Sequence, residues 1–198
     1  MLLIRHGQSE FNVVYSVTRV DPGIRDPLLT ETGRAQAREA ASALTGEGLA
    51  RLIASPYTRA LETAEIIAEI LDLPITVDAR VGERAAFACD IGSPLAQLRA
   101  RWPRLTLDHL EEVWWPEHEE SETALDRRCE GFRSAMALAP DWASAGVVTH
   151  WGFIRSLTGL TVPNGAVLRI DPTRRETPPI PLLMPAPRPT PAAAAPPP

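Results

Sequence analysis

Met1-Leu-Leu-Ile-Arg-His-Gly-Gln-Ser-Glu-Phe-Asn12 is the stretch on which the fold turns. Leu2, Leu3 and Ile4 form a short apolar run that reads as a buried strand. It stops abruptly at Arg5-His6-Gly7, where a cation, an imidazole and a flexible backbone sit together. In open α/β sheets, ligands bind outside the carboxyl ends of the strands. His6 is neutral for much of its population near pH 7 and can act as a nucleophile. Arg5 suits an oxyanion with several oxygens, phosphate above all. Alone the pair is ambiguous, so the other parts of a site must come from elsewhere in the chain.

Working outward, the chain alternates strands and helices. An irregular stretch runs from Asn12 to about Leu29, with turn signals at Asp21-Pro-Gly23 and Asp26-Pro27. Arg19 and Arg25 lie in it, within possible reach of an anionic substrate. Thr30 reads as the N-cap of a helix from Glu31 to about Leu44. A strand follows over 49–55, and Pro56 suits the first turn of a helix that runs to about Leu71. Leu61, Ala64, Ile67, Ala68 and Leu71 give that helix a core-facing stripe. Residues 74–78 read as a third strand. Ser93-Pro94 opens a short helix ending before Pro103, and Trp102, Trp114 and Trp115 read as packing residues. Ser121 caps a helix to Leu138. Residues 145–149 form a fourth strand, a helix starts at Gly152, and residues 166–170 form a last strand that can run antiparallel. The pattern predicts an α/β fold with a parallel or mostly parallel sheet covered on both faces. It assigns residues 1–171 to one domain and 172–198, where Pro, Ala and Thr dominate, to a disordered or polyproline tail.

Composition narrows the function classes. The formal net charge is -5, so no general attraction to nucleic acid or an anionic membrane is expected. Every one of the 20 basic residues is arginine. The two cysteines, Cys89 and Cys129, have no metal-site spacing and make no disulfide framework. Reduced thiols in a cytoplasm are the default expectation. No apolar stretch is long enough to span a membrane, and the N-terminus does not read as a signal peptide.

Three strand ends carry suggestive chemistry. The first gives Arg5, His6 and Asn12; the second gives Ser55 and Arg59; the fourth gives Thr149-His150-Trp151-Gly152. In a parallel sheet these ends share one edge. Arg5, Arg59, His6 and His150 would then make a strongly cationic pocket inside an acidic protein. His-x-Gly entering a helix also offers free backbone N–H groups to an anion.

Those segments, in that order, resemble the histidine phosphatase, or phosphoglycerate mutase-like, superfamily. The resemblance rests on Arg5-His-Gly-Gln-Ser-Glu-Phe-Asn12, on Leu29-Thr-Glu-Thr-Gly33 with Gln36-Ala37, on Ser55-Pro-Tyr-Thr-Arg-Ala-Leu-Glu-Thr-Ala64 and on Thr149-His-Trp-Gly152. It spans residues 1 to about 171 and implies a three-layer α/β/α sandwich. It implies that His6 accepts the phosphoryl group, that Arg5, Arg59 and His150 hold its oxygens, and that Asn12 and Gly152 contribute beside them. It implies a backbone carbonyl at Gly7 behind His6. It places Glu83, in Val81-Gly-Glu-Arg84, as the proton donor to the leaving oxygen, with Asp90 the nearest competing carboxylate. A Glu beside bound phosphate has its charged form disfavoured, which suits acid–base work.

The expected activity is metal-independent hydrolysis of a phosphomonoester through phospho-His6, without a cofactor. The expected partner is a small phosphorylated substrate, with a phosphoprotein as the other possibility, and oligomeric state is left open. A phosphoglycerate mutase and a non-catalytic phosphate-binding module are the rival readings. Mutases of this superfamily usually carry longer insertions than a folded part of about 171 residues holds, which favours a phosphatase, and Ala85-Ala-Phe-Ala-Cys-Asp-Ile-Gly92 departs from the mutase pattern, which leaves the substrate open.

Overall fold

The computed structural model describes residues 1–186. Its strands are β1 (Leu2–Arg5), β2 (Arg51–Ala54), β3 (Ile75–Val77), β4 (Ala145–Thr149), β5 (Val167–Arg169) and β6 (Ile180–Leu183). Its α-helices are α1 (Glu10–Thr18), α2 (Glu31–Leu44), α3 (Thr58–Leu71), α4 (Leu95–Arg101), α5 (Glu122–Leu138) and α6 (Trp151–Thr158). The strands form one sheet in the order β3-β2-β4-β1-β5-β6. β3, β2, β4 and β1 are parallel, whereas β5 and β6 each run antiparallel to the preceding neighbour in that order.

Period-two alternation sorts the strand side chains between two cores. Leu2, Ile4, Leu52, Ala54, Val148 and Val167 face α2 and α3. Leu3, Ile53, Val147 and Leu168 face α5 and α6. The apolar runs of the parallel strands carry no polar face because both faces are covered. This is the three-layer α/β/α arrangement with a mostly parallel sheet.

Two elements depart from the sequence reading. The stretch after Asn12 is not irregular throughout, because α1 runs to Thr18. Its Val13, Val14, Val17 and Thr18 are poor helix formers, so the signal lies instead at its start. There the Ser9 amide and hydroxyl both donate to Asn12 Oδ1, at 3.0 Å each. The second departure corrects the expectation of an unstructured segment from 172. Ile180–Leu183 forms β6 and pairs with β5. Leu182 and Leu183 pack against the α2/α3 core. Pro181 is tolerated because β6 is the edge strand, where a missing N–H costs no ladder bond. The rest of the expected tail, 187–198, lies outside the described residues.

Candidate active site

Strand register builds the site. Arg5 pairs with Thr149 across β1 and β4, and Ala54 pairs with Val148 across β2 and β4. The next residue on each strand, His6, His150 and Ser55, therefore leaves the same sheet edge. The His6 and His150 rings lie 5.0 Å apart between centroids, and Ser55 Oγ lies 2.8 Å from His150 Nε2. Arg5, His6, Asn12, Arg59, Glu83 and Gly152 line a cavity of about 650 Å³ above that edge. His150 stands fully buried behind His6.

The turn after β1 is held by close backbone approach. A Cβ on Gly7 would fall 2.3 Å from the Gly33 carbonyl oxygen, and one on Gly33 would fall 2.1 Å from that of Gln8. Only glycine at both positions lets the start of α2 pack on this turn. The Gly7 amide donates to Thr63 Oγ1 at 3.1 Å and the Gln8 amide to Gln36 Oε1 at 2.8 Å. Asn164, just before β5, donates from Nδ2 to the His6 carbonyl and to Asn12 Oδ1. With Ser9, that makes three donors on Asn12 Oδ1. The amide orientation is thereby assigned, and Nδ2 of Asn12 is left as the donor end.

His6 Nδ1 lies 2.7 Å from the Gly7 carbonyl oxygen. A carbonyl only accepts, so Nδ1 carries the proton and Nε2 carries the lone pair. Burial, then the charges of Arg59 and Arg5, push the His6 pKa well below the usual imidazole range. Burial, Arg59 and His6 do the same for His150. Both rings are neutral at pH 7.

Arg5 donates from one terminal nitrogen to the Val162 carbonyl at 2.5 Å. Burial lowers its pKa to about 10, which leaves it charged at neutral pH. Arg5 Nε and His150 Nδ1 are buried without a hydrogen-bond partner among the described residues. Arg59 is anchored on three sides. It donates to the Cys89 carbonyl at 2.7 Å, meets Asp90 Oδ1 at 3.0 Å, and lies 4.6 Å from the centre of the Tyr57 ring.

Glu83 follows a single 3₁₀ turn after β3. Its Oε1 accepts from the Arg84 amide at 2.9 Å and the Gly152 amide at 2.8 Å. Burial, then Asp90, raises its pKa above the usual carboxylate value, against the Arg84 amide and the two arginines.

Two sequence expectations are corrected here. The pocket is not strongly cationic, since both histidines are neutral and Asp90 pairs with Arg59. Gly152 does not offer a free N–H to an anion, because Glu83 occupies it. A Cβ at 152 would fall 2.4 Å from Glu83 Oε1, so the glycine makes room for the carboxylate. Of the two loop arginines, Arg19 lines the cavity, with its guanidinium 5.8 Å from the centre of the Tyr15 ring. The tryptophans Trp102, Trp114 and Trp115 pack elsewhere: Trp102 is in the α2/α3 core, and Trp114 meets Tyr57 edge-on at 4.7 Å. The cavity aromatics are instead Phe11, Tyr15, Phe87 and Trp151. Nothing in their local spacing marks them, because three separate segments supply them. Among the described residues no group of three or more His, Cys, Asp or Glu is placed to hold a metal ion, and no helix is long and apolar enough to cross a membrane.

The profile of the histidine phosphatase superfamily (branch 1) matches residues 1–173. The chain is 29% identical over 180 residues to a glucosyl-3-phosphoglycerate phosphatase of Mycolicibacterium vanbaalenii, covering 85% of this chain and 78% of that one. It is 41% identical over 107 residues to a 2,3-bisphosphoglycerate-dependent phosphoglycerate mutase of a Methylobacterium species. That match covers 52% of this chain and only 49% of the mutase. The solved structure of a mycobacterial glucosyl-3-phosphoglycerate phosphatase complexed with VO3 superposes with a TM-score of 0.59 at 25% identity, covering 85% of this chain and 88% of that one. The motifs, the sheet edge they share and the profile match over nearly the whole described chain place this protein in the histidine phosphatase superfamily.

Proposed function

We propose that the protein is a metal-independent phosphomonoesterase acting on a small phosphorylated substrate through phosphohistidine at His6. The observation that carries this reading is the 2.7 Å contact between His6 Nδ1 and the Gly7 carbonyl. It supports the tautomer that leaves the Nε2 lone pair free to attack.

Nε2 attacks phosphorus and the bond to the ester oxygen breaks. Glu83, whose proton affinity burial raises, gives its proton to that oxygen, and the alcohol leaves. Arg5, Arg59 and the Asn12 amide surround the equatorial oxygens, where negative charge concentrates in the transition state, with His150 behind His6. Arginines perform there the charge stabilisation that metal ions supply in other phosphoryl-transfer sites. Glu83, now ionised, takes a proton from water. The resulting nucleophile breaks the P–N bond, releasing phosphate and restoring His6.

Hydrolysis over transfer is favoured by the longer match, which is to a phosphatase along 78% of its length. The mutase reading draws on the higher identity in a shorter segment. Assay of p-nitrophenyl phosphate in chelator tests the proposal, with His6→Ala as control. Wild-type turnover with none in the variant is expected. Equal turnover refutes the assignment. Interconversion of phosphoglycerates faster than phosphate release would favour the mutase.

A further inference from the structure

We propose that the outer cavity is a leaving-group subsite for an uncharged aromatic ring. This rests on the phosphoryl group lying between His6, Arg5 and Arg59.

Three rings form one wall. Phe11 and Tyr15 stack at 5.1 Å, and Phe87 touches both, at 5.6 and 5.1 Å between centroids. Phe87 remains 39% exposed, although it lines the cavity. Trp151, 37% exposed, lines the same cavity. Exposed aromatic surface concentrated at a concave site marks a ligand contact rather than packing.

The wall is fixed in place. Asp90 Oδ2 accepts from the Ala86 and Phe87 amides at 3.1 Å each, while Oδ1 of the same carboxylate holds Arg59. The Ala88 amide donates to Asp21 Oδ2 at 2.8 Å, tying this loop to the one after α1. One carboxylate therefore sets both a phosphate ligand and the ring beside it. Such preorganisation lowers the ordering cost of binding.

Most of the charges around these rings are already paired. Arg84 pairs with Glu119 at 2.8 Å and Glu122 at 3.3 Å, and Arg155 pairs with Glu122 at 2.6 Å. Arg155 also lies over Trp151, 5.0 Å from its ring centre. Among the cavity arginines beyond the phosphoryl end, Arg19 alone lacks a carboxylate partner among the described residues, and it sits on Tyr15. Two of the three outer arginines are thus engaged by carboxylates.

The test compares binding of non-hydrolysable phosphonates by calorimetry: ethylphosphonate, 2-phenylethylphosphonate and 2-carboxyethylphosphonate. The phenyl compound is expected to bind about tenfold or more tighter than the ethyl compound. The carboxyethyl compound is expected to gain nothing. Phe87→Ala should shrink the phenyl advantage to about threefold or less. Equal binding of phenyl and ethyl compounds by the wild type, or tightest binding of the carboxyethyl compound, overturns the subsite whatever Phe87→Ala does. Because binding is read without turnover, a strong phenyl preference in a protein that hydrolyses no ester would sustain the subsite and refute the phosphatase reading. Hydrolysis with no phenyl preference would do the reverse.

Discussion

The Gly152 amide donates to Glu83 Oε1 at 2.8 Å, and a Cβ on residue 152 would fall 2.4 Å from the same oxygen. The two residues are far apart in sequence and belong to different strand ends. Gly152→Ala should therefore displace the Glu83 carboxylate while α6 persists, since alanine favours a helix. For an alkyl phosphate, whose leaving oxygen needs a proton, kcat should fall by about a hundredfold. For p-nitrophenyl phosphate, whose leaving group needs little help, the fall should be much smaller. Steady-state kinetics on both esters checks this, with circular dichroism confirming the fold.

The pH profile follows from two opposite shifts. His6 must be unprotonated to attack, and burial with two arginines puts its pKa well below 6.5. Activity dependent on His6 is thus kept through pH 6.5 and lost only as the pH falls well below it. Glu83 must be protonated in the first step, and burial raises its pKa above 4.5. Activity dependent on Glu83 is lost as pH rises through that raised value. For an alkyl ester, kcat/KM should peak on the acid side of neutrality. Glu83→Gln should lower the peak and remove its alkaline limb.

In the proposed mechanism Asp90 positions its neighbours and Glu83 donates the proton. Both its oxygens are engaged, one by Arg59 and the other by the Ala86 and Phe87 amides. Asp90→Ala leaves the Arg59 charge buried and unpaired and should cost about 3 kcal/mol of stability. Asp90→Asn keeps an oxygen for the loop amides, so it should destabilise less and raise KM more than it lowers kcat. Denaturant unfolding of both variants, with their kinetics, separates the two effects.

Gly33→Ala tests the packing of the turn against α2. The added Cβ would lie 2.1 Å from a backbone oxygen, which no side-chain rotation relieves. A loss of about 3 kcal/mol is expected from urea unfolding. The variant should also bind phosphate more weakly, because the turn it displaces carries His6.

Much of this was legible in the sequence. The apolar run Leu2–Ile4 fixed a doubly covered strand, Thr30 and Ser121 marked two helix starts, and the parallel order followed from alternation. Arg5, His6, Arg59 and His150 could be grouped because each follows a strand end closely. What stayed hidden depends on contacts between distant segments. Helix α1 was masked by β-branched residues, and β6 by the prolines around Ile180. The Asp90–Arg59 pair reduced the expected positive charge of the pocket, and no pattern local to either residue announces it. The hydrogen bonds of Asn164 and the aromatic wall of Phe11, Tyr15 and Phe87 likewise appear only once the loops are folded together.

A covalent intermediate on His6 can be detected directly. Wild-type protein mixed with a ³²P-labelled phosphomonoester and quenched in alkali within one turnover should carry label that is stable to alkali and released by acid. Peptide mapping should place that label on the peptide containing His6, and His6→Ala should carry none. A wild type that turns over substrate without acid-labile label, or equal labelling of wild type and His6→Ala, would contradict the account.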